Sequence, residues 1–93
     1  MTFKPDQTFN SSHKMGDARI TLAKALTKFP EPNIPTSDGK VEFDWSGSFT
    51  AKDGTTMRAS FWDWKGSLRW GDQVSLWLDK PEYLPEFKKF VEA

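Results

Sequence analysis

Apolar residues recur along this chain at two different periods. Ala18, Leu22, Ala25, Leu26 and Phe29 are spaced by threes and fours, the signature of one face of a helix. Asp17 stands where an N-cap is expected, so the spacing predicts a helix over residues 18–29. A strand over residues 18–22 competes, because Thr21 and Thr27 are β-branched and lose rotamer freedom in a helix. Pro30 ends the element in either case. Residues 30–40, PEPNIPTSDGK, hold three prolines and an Asp-Gly step and read as a loop.

From Val41 the period becomes two. Val41, Phe43, Trp45, Phe49 and Ala51 share one strand face, with Gly47 between them. Asp53-Gly54 separates this run from TTMRASFWDW, and such a step between β-like runs predicts a two-residue type I′ hairpin with positive φ at both positions. That turn pairs Trp45 with Trp62, Phe43 with Trp64 and Glu42 with Lys65, all favourable. It also pairs Asp44 with Asp63, which is unfavourable, and Gly47 is then the expected place for a relieving bulge.

KGSLRWGD reads as a loop or a wider hairpin connection. QVSLWLD reads as a third strand, with Val74, Leu76 and Leu78 on one face and Ser75 and Trp77 on the other. Pro85 belongs in a first helical turn, so PEFKKFVE predicts a short helix offering Phe87, Phe90 and Val91 to the sheet. Residues 1–12 read as an irregular arm with the capacity to add a strand. The expected architecture is a single α+β domain over residues 1–93. It is a small twisted antiparallel meander of three to four strands, with an N-terminal helix and a short C-terminal helix.

Composition sharpens this picture. A chain of 93 residues buries only about 60% of its unfolded surface. It has no cysteine, so neither disulfides nor thiolate zinc sites contribute. Eight phenylalanines, five tryptophans and one tyrosine must supply the core, since aromatics give the most burial per residue. Trp45, in the most regular alternation, is expected to be buried. The N-terminus lacks the apolar run of a signal peptide, and no stretch approaches a membrane span of about 18 apolar residues. A cytoplasmic location is the expectation. The formal net charge is zero, unlike a protein that coats nucleic acid by charge alone. The charge is uneven, with Lys4, Lys14, Arg19, Lys24 and Lys28 set against only Asp6 and Asp17 in residues 1–29.

Catalytic signatures are sparse. The single histidine, His13, lies in the arm, no serine stands in an elbow motif, and no phosphate-cradling glycine loop occurs. Asp44, Asp63 and Asp72 offer carboxylates for Mg²⁺, so a metal-dependent hydrolase using Asp44 and Asp63 is a distant alternative. Non-enzymatic binding is expected instead, with no cofactor and no bound metal. Its basis is the interleaving of aromatics and cations in Arg58, Trp62, Trp64, Lys65, Arg69 and Trp70. If Met57, Ala59 and Phe61 face the core, Arg58, Trp62 and Trp64 face outward. Tryptophans beside cations make a platform on which unpaired bases stack. The same aromatics serve as anchors for a protein partner, and covering helices would instead make them core.

DWSGSF, KDGTTM, FWDWKGS and QVSLWLDKPEYLPEF, together spanning roughly residues 39–87, carry a resemblance. The chain is similar to a loose class of small proteins encoded by phages, plasmids and other mobile elements. In that class an aromatic strand ends in S/T-G, a Gly turn follows, a strand closes on W-K, and another reads S-L-x-L. The resemblance implies a compact β-rich fold likened to single-strand-binding barrels, and a setting in phage or mobile-element biology. It brings no catalytic residues. The expected partner is therefore single-stranded nucleic acid, or alternatively a host or phage protein on which the chain acts as inhibitor or accessory factor, with no membrane.

Overall fold

The computed structural model describes residues 1–6, 13–33 and 40–93. Five strands form one antiparallel sheet: β1 (Thr2–Pro5), β2 (Gly16–Arg19), β3 (Asp44–Thr50), β4 (Thr56–Trp62) and β5 (Gln73–Leu78), in the spatial order β1-β3-β4-β5-β2. Three helices accompany it: α1 (Leu22–Lys28), α2 (Ser67–Gly71) and α3 (Leu84–Glu92), the last preceded by a 3₁₀ turn over Pro81–Tyr83. The protein is α+β, as expected, but has five strands rather than three or four. The two extra strands, β1 and β2, are four residues each, too short to show alternation. The sheet is open: β1 and β2 lie at opposite edges, unlike the barrel implied by the resemblance. No helix among the described residues is long and apolar enough to cross a membrane.

The N-terminal arm is ordered at its start, where β1 pairs with β3 through Phe3↔Phe49 and Lys4↔Ser48. Residues 7–12 of the expected arm, and residues 34–39 of the expected loop, lie outside the described residues. The expected helix from residue 18 begins later. Residues 16–19 pair with β5, and Ala18 and Ile20 are buried there. Thr21, not Asp17, caps α1, its Oγ1 accepting from Lys24 N at 3.1 Å. Asp17 instead pairs with Lys14 at 2.5 Å. Ala25 and Phe29 are buried, while Leu26 is exposed. Thr27 fits the helix by donating its hydroxyl to Ala23 O at 2.9 Å.

The β3–β4 hairpin corrects the predicted register by one residue. Trp45 faces Phe61, and Asp44 faces Trp62. The predicted pairs Trp45–Trp62 and Asp44–Asp63 do not form. The reason is the turn, which has three residues rather than two. Ala51 N donates to Thr55 O at 2.9 Å and Gly54 N to Ala51 O at 3.0 Å. Only Gly54 has positive φ, at +90°, and Asp53 does not. A three-residue loop whose last residue is left-handed is the next commonest hairpin after the two-residue types. Asp53 fixes it by accepting from Thr55 N at 2.9 Å and from Tyr83 OH at 2.6 Å. No bulge is needed at Gly47, which pairs with Pro5 on one side and Ala59 on the other.

One face of the sheet carries Phe3, Trp45, Phe49, Met57, Ala59, Phe61, Val74, Leu76 and Leu78, and Phe29, Leu68, Phe87 and Val91 join it from the helices and their flanks. The core is an aromatic lattice. Trp45 stacks on Phe61 with centroids 5.0 Å apart and planes 13° apart, and Phe29 meets Phe61 at 4.8 Å. Phe49 contacts Phe87 at 5.0 Å. The indole N–H of Trp45 donates to Phe29 O at 2.9 Å, so its burial leaves no orphaned donor. Two lysines of α1 close the end of α3. Lys24 Nζ donates to Glu92 O at 3.0 Å and Lys28 Nζ to Phe90 O. Cations suit that end, where carbonyls lack partners and the helix dipole is negative. Burial against Phe29 and Phe90, and the neighbouring Lys24, lower the pKa of Lys28.

Both sheet edges are blunted. Alternate residues of an antiparallel strand turn their N–H groups to the neighbour. Asp6 N donates inward to Ser46 O at 2.7 Å, so the outward-directed N–H positions of β1 fall at Phe3 and Pro5, and proline has no N–H. On β2, Ile20 N donates inward to Asp72 O at 3.0 Å, so Arg19 faces outward. Its N–H is taken by Glu92 Oε2 at 2.9 Å.

Candidate binding surface

The face opposite the helices is polar. From the register, neighbouring rows across β3, β4 and β5 read Asp44, Trp62, Ser75 and then Ser46, Ser60, Trp77. Ser48 and Arg58 form the next pair. Ser46, Ser60 and Ser75 are buried beside the half-buried Trp62 and Trp77. The assignment of Met57, Ala59 and Phe61 to the core and of Arg58 and Trp62 to the other face is therefore as expected. Arg58 is exposed, but stands four residues from Trp62, roughly 13 Å along the strand. Asp44 is half-buried on this face, and burial raises its pKa. The Asn33 and Ser46 side chains partly offset that, and the charge of Asp63 adds to it.

The large exposed aromatics lie beyond the end of β4. Trp64 is 45% exposed and Trp70 is 84% exposed. Local geometry puts them there. Lys65 and Gly66 both take left-handed φ, at 52° and 80°, reversing the chain into α2. Ser67 locks the reversal, its Oγ accepting from Trp64 N at 3.0 Å and donating to Gln73 O at 2.9 Å. Leu68, wholly buried, anchors α2 to the core. Trp70 follows two positions later, roughly 200° around the helix, and so faces solvent. Its ring packs on Gly66, where an added Cβ would sit 2.7 Å from Trp70 Cδ1.

Cations surround Trp64. The Lys40 ammonium lies 5.8 Å from its ring centroid and the Lys65 ammonium 6.0 Å, within reach of a cation–π attraction. Arg69 pairs with Glu42 through two hydrogen bonds, the longer at 3.3 Å. Each holds the other ionised: Arg69 lowers the pKa of Glu42, and Glu42 raises that of Arg69. The structure thus gathers Trp64, Lys65, Arg69 and Trp70 at one end of the sheet, with Trp62 at the strand end beside them and Arg58 apart. Lys40 was missed from the sequence, and Glu42 was expected opposite Lys65 rather than paired with Arg69. Both reach the site from the segment that leads into β3.

Asp63 joins the two segments. It is wholly buried. Its Oδ1 accepts from Glu42 N at 2.8 Å and from Phe43 N at 2.9 Å. For the hydrolase alternative, this means Asp63 is engaged by backbone. Among the described residues no three His, Cys, Asp or Glu side chains gather as a metal-binding group.

Fold and surface together define a small α+β domain with a polar, largely buried sheet face and an aromatic, basic end. Comparison with known proteins found no matching family model, no matching curated protein and no matching solved structure.

Proposed function

We propose that the protein is a non-catalytic binding module that holds single-stranded nucleic acid at the Trp64–Trp70 end. The observation that carries this is the exposure of both indoles, 45% and 84%, with two ammonium groups about Trp64. Exposed indoles are costly in water, and each stacked base returns about 1–3 kcal/mol. Lys40 and Lys65 are placed to meet the phosphates beside a base stacked there. Trp62, at the end of β4, lies beside this end, and Arg58 stands apart from it. A protein partner is the second reading. It is favoured by the Arg69–Glu42 pair, which neutralises one of the site's cations, and by Trp70, shaped like an interface anchor.

The test is tryptophan fluorescence on titration with a short unpaired oligonucleotide, at low and then moderate salt. Quenching that weakens as salt rises, and is lost when Trp64 and Trp70 are both changed to alanine, is expected. Absence of quenching at low salt, where electrostatic attraction is least screened, overturns the nucleic-acid reading. Salt-insensitive capture of a protein that requires the same two tryptophans supports the second reading instead.

A further inference from the structure

The aromatic, basic end is built from two stretches of chain far apart in sequence, residues 40–43 and 63–70. We infer that Asp63 is the positioning residue that assembles them into one surface, an inference that rests on the binding role proposed above. Three hydrogen bonds join the stretches through Asp63. Asp63 N donates to Phe43 O at 3.0 Å, and Lys65 N donates to Lys40 O at 2.7 Å. Asp63 Oδ1 then accepts both Glu42 N and Phe43 N. These bonds fix the backbone from which Lys40 reaches the Trp64 ring and Glu42 reaches Arg69.

The chemistry suits a side chain acting through others. Oδ1 of the carboxyl group has two lone pairs and accepts both N–H groups, while Oδ2 is buried without a hydrogen-bond partner. The side chain is wholly buried, so it does not touch a ligand arriving from solvent. Strand pairing alone does not hold residues 40–43, because β3 begins at Asp44. Without Asp63 Oδ1, the N–H groups of Glu42 and Phe43 lose their partner, and the Lys40 and Glu42 side chains lose their fixed origin.

The experiment follows the Lys40–Trp64 proximity by NMR, with no ligand present, in wild type, Asp63→Ala, Asp63→Ser and Asp63→Asn. Wild type should show cross-relaxation between the Lys40 side chain and the Trp64 ring, and slowed exchange of the Glu42 and Phe43 amides. Asp63→Ala should lose these signals while the amides of β4 and β5 stay protected. Asp63→Ser, whose shorter side chain cannot span both N–H groups, is read if the alanine variant does not fold. Asp63→Asn keeps an oxygen acceptor and should restore the signals. Oligonucleotide affinity should fall at least tenfold in the variants that lose the signals and recover in the asparagine variant. Unprotected Glu42 and Phe43 amides in wild type, or a Lys40–Trp64 signal that survives Asp63→Ala or Asp63→Ser, overturns the inference. A lost signal with no oligonucleotide binding by wild type leaves Asp63 as the assembler and removes only the nucleic-acid reading.

Discussion

Replacing Trp45 with phenylalanine and, separately, with alanine divides its contribution into two parts. Trp45 is 1% exposed and lies between Phe61 at 5.0 Å and Phe43 at 6.1 Å, both stacked. Truncation to alanine removes those faces and leaves a cavity beneath α1, a change that costs about 3–5 kcal/mol for a buried aromatic. Phenylalanine keeps a ring against Phe61 but loses the N–H bond to Phe29 O. An unpaired buried acceptor and a smaller void together cost about 1–2 kcal/mol. A domain of this length has a stability of about 5–14 kcal/mol, so alanine removes a large share of it and phenylalanine a small one. Urea unfolding followed by circular dichroism is the assay, since fluorescence itself changes with the residue. At a slope of about 1.5 kcal/mol/M, the alanine midpoint should fall by about 2–3 M and the phenylalanine midpoint by about 1 M. An alanine midpoint within about 0.5 M of wild type on that scale would refute the placement of Trp45 at the centre of the core. Equal shifts for the two variants would refute the stacking argument.

Two further changes probe the turn and the open face. Gly54 has φ +90° and nothing within 4 Å of an added Cβ, so Gly54→Ala isolates backbone strain and should cost about 1 kcal/mol; an unchanged thermal midpoint contradicts the three-residue turn. Asp44 has its pKa raised, first by burial, so its folded form holds the proton more tightly than the unfolded chain. Its contribution favours folding below the unfolded pKa and is lost as pH rises through the higher folded one. Asp44→Asn should therefore raise the denaturation midpoint at neutral pH and have little effect in acid, and a variant equally destabilised at both pH values refutes this.

The two faces of β3 and β4 were legible because alternation over seven residues leaves little freedom. Their register was not, although the sequence held the contradiction. Trp45 reads as core-facing and Trp62 as outward-facing, and directly opposed residues share a face. A two-residue turn pairs them nonetheless, whereas a three-residue turn aligns Trp45 with Phe61. Asp53-Gly54 is compatible with both turns, and the bond from Tyr83 to Asp53 that accompanies the three-residue form comes from 30 residues away. The helix over residues 18–29 failed in its first turn for a similar reason. Ala18 satisfies a helical stripe and a strand face equally, and pairing with Val74 selected the strand. At the site, alternation has no meaning past Trp62. The exposure of Trp64 and Trp70 follows from Lys65 and Gly66 turning left-handed and from Leu68 entering the core, and none of these is a periodic signal.

The Glu92 carboxylate that caps β2 at Arg19 comes from 73 positions further along the chain. It cannot act until α3 has docked. Through that interval the Arg19 N–H is an open template for another molecule's strand, and the aromatic core faces are uncovered as well. On this geometry, closure by α3 competes during folding with encounter between copies. The first process is independent of concentration and the second is not. Refolding yield is therefore expected to fall as the concentration of the chain rises, and to fall further when Glu92 is replaced.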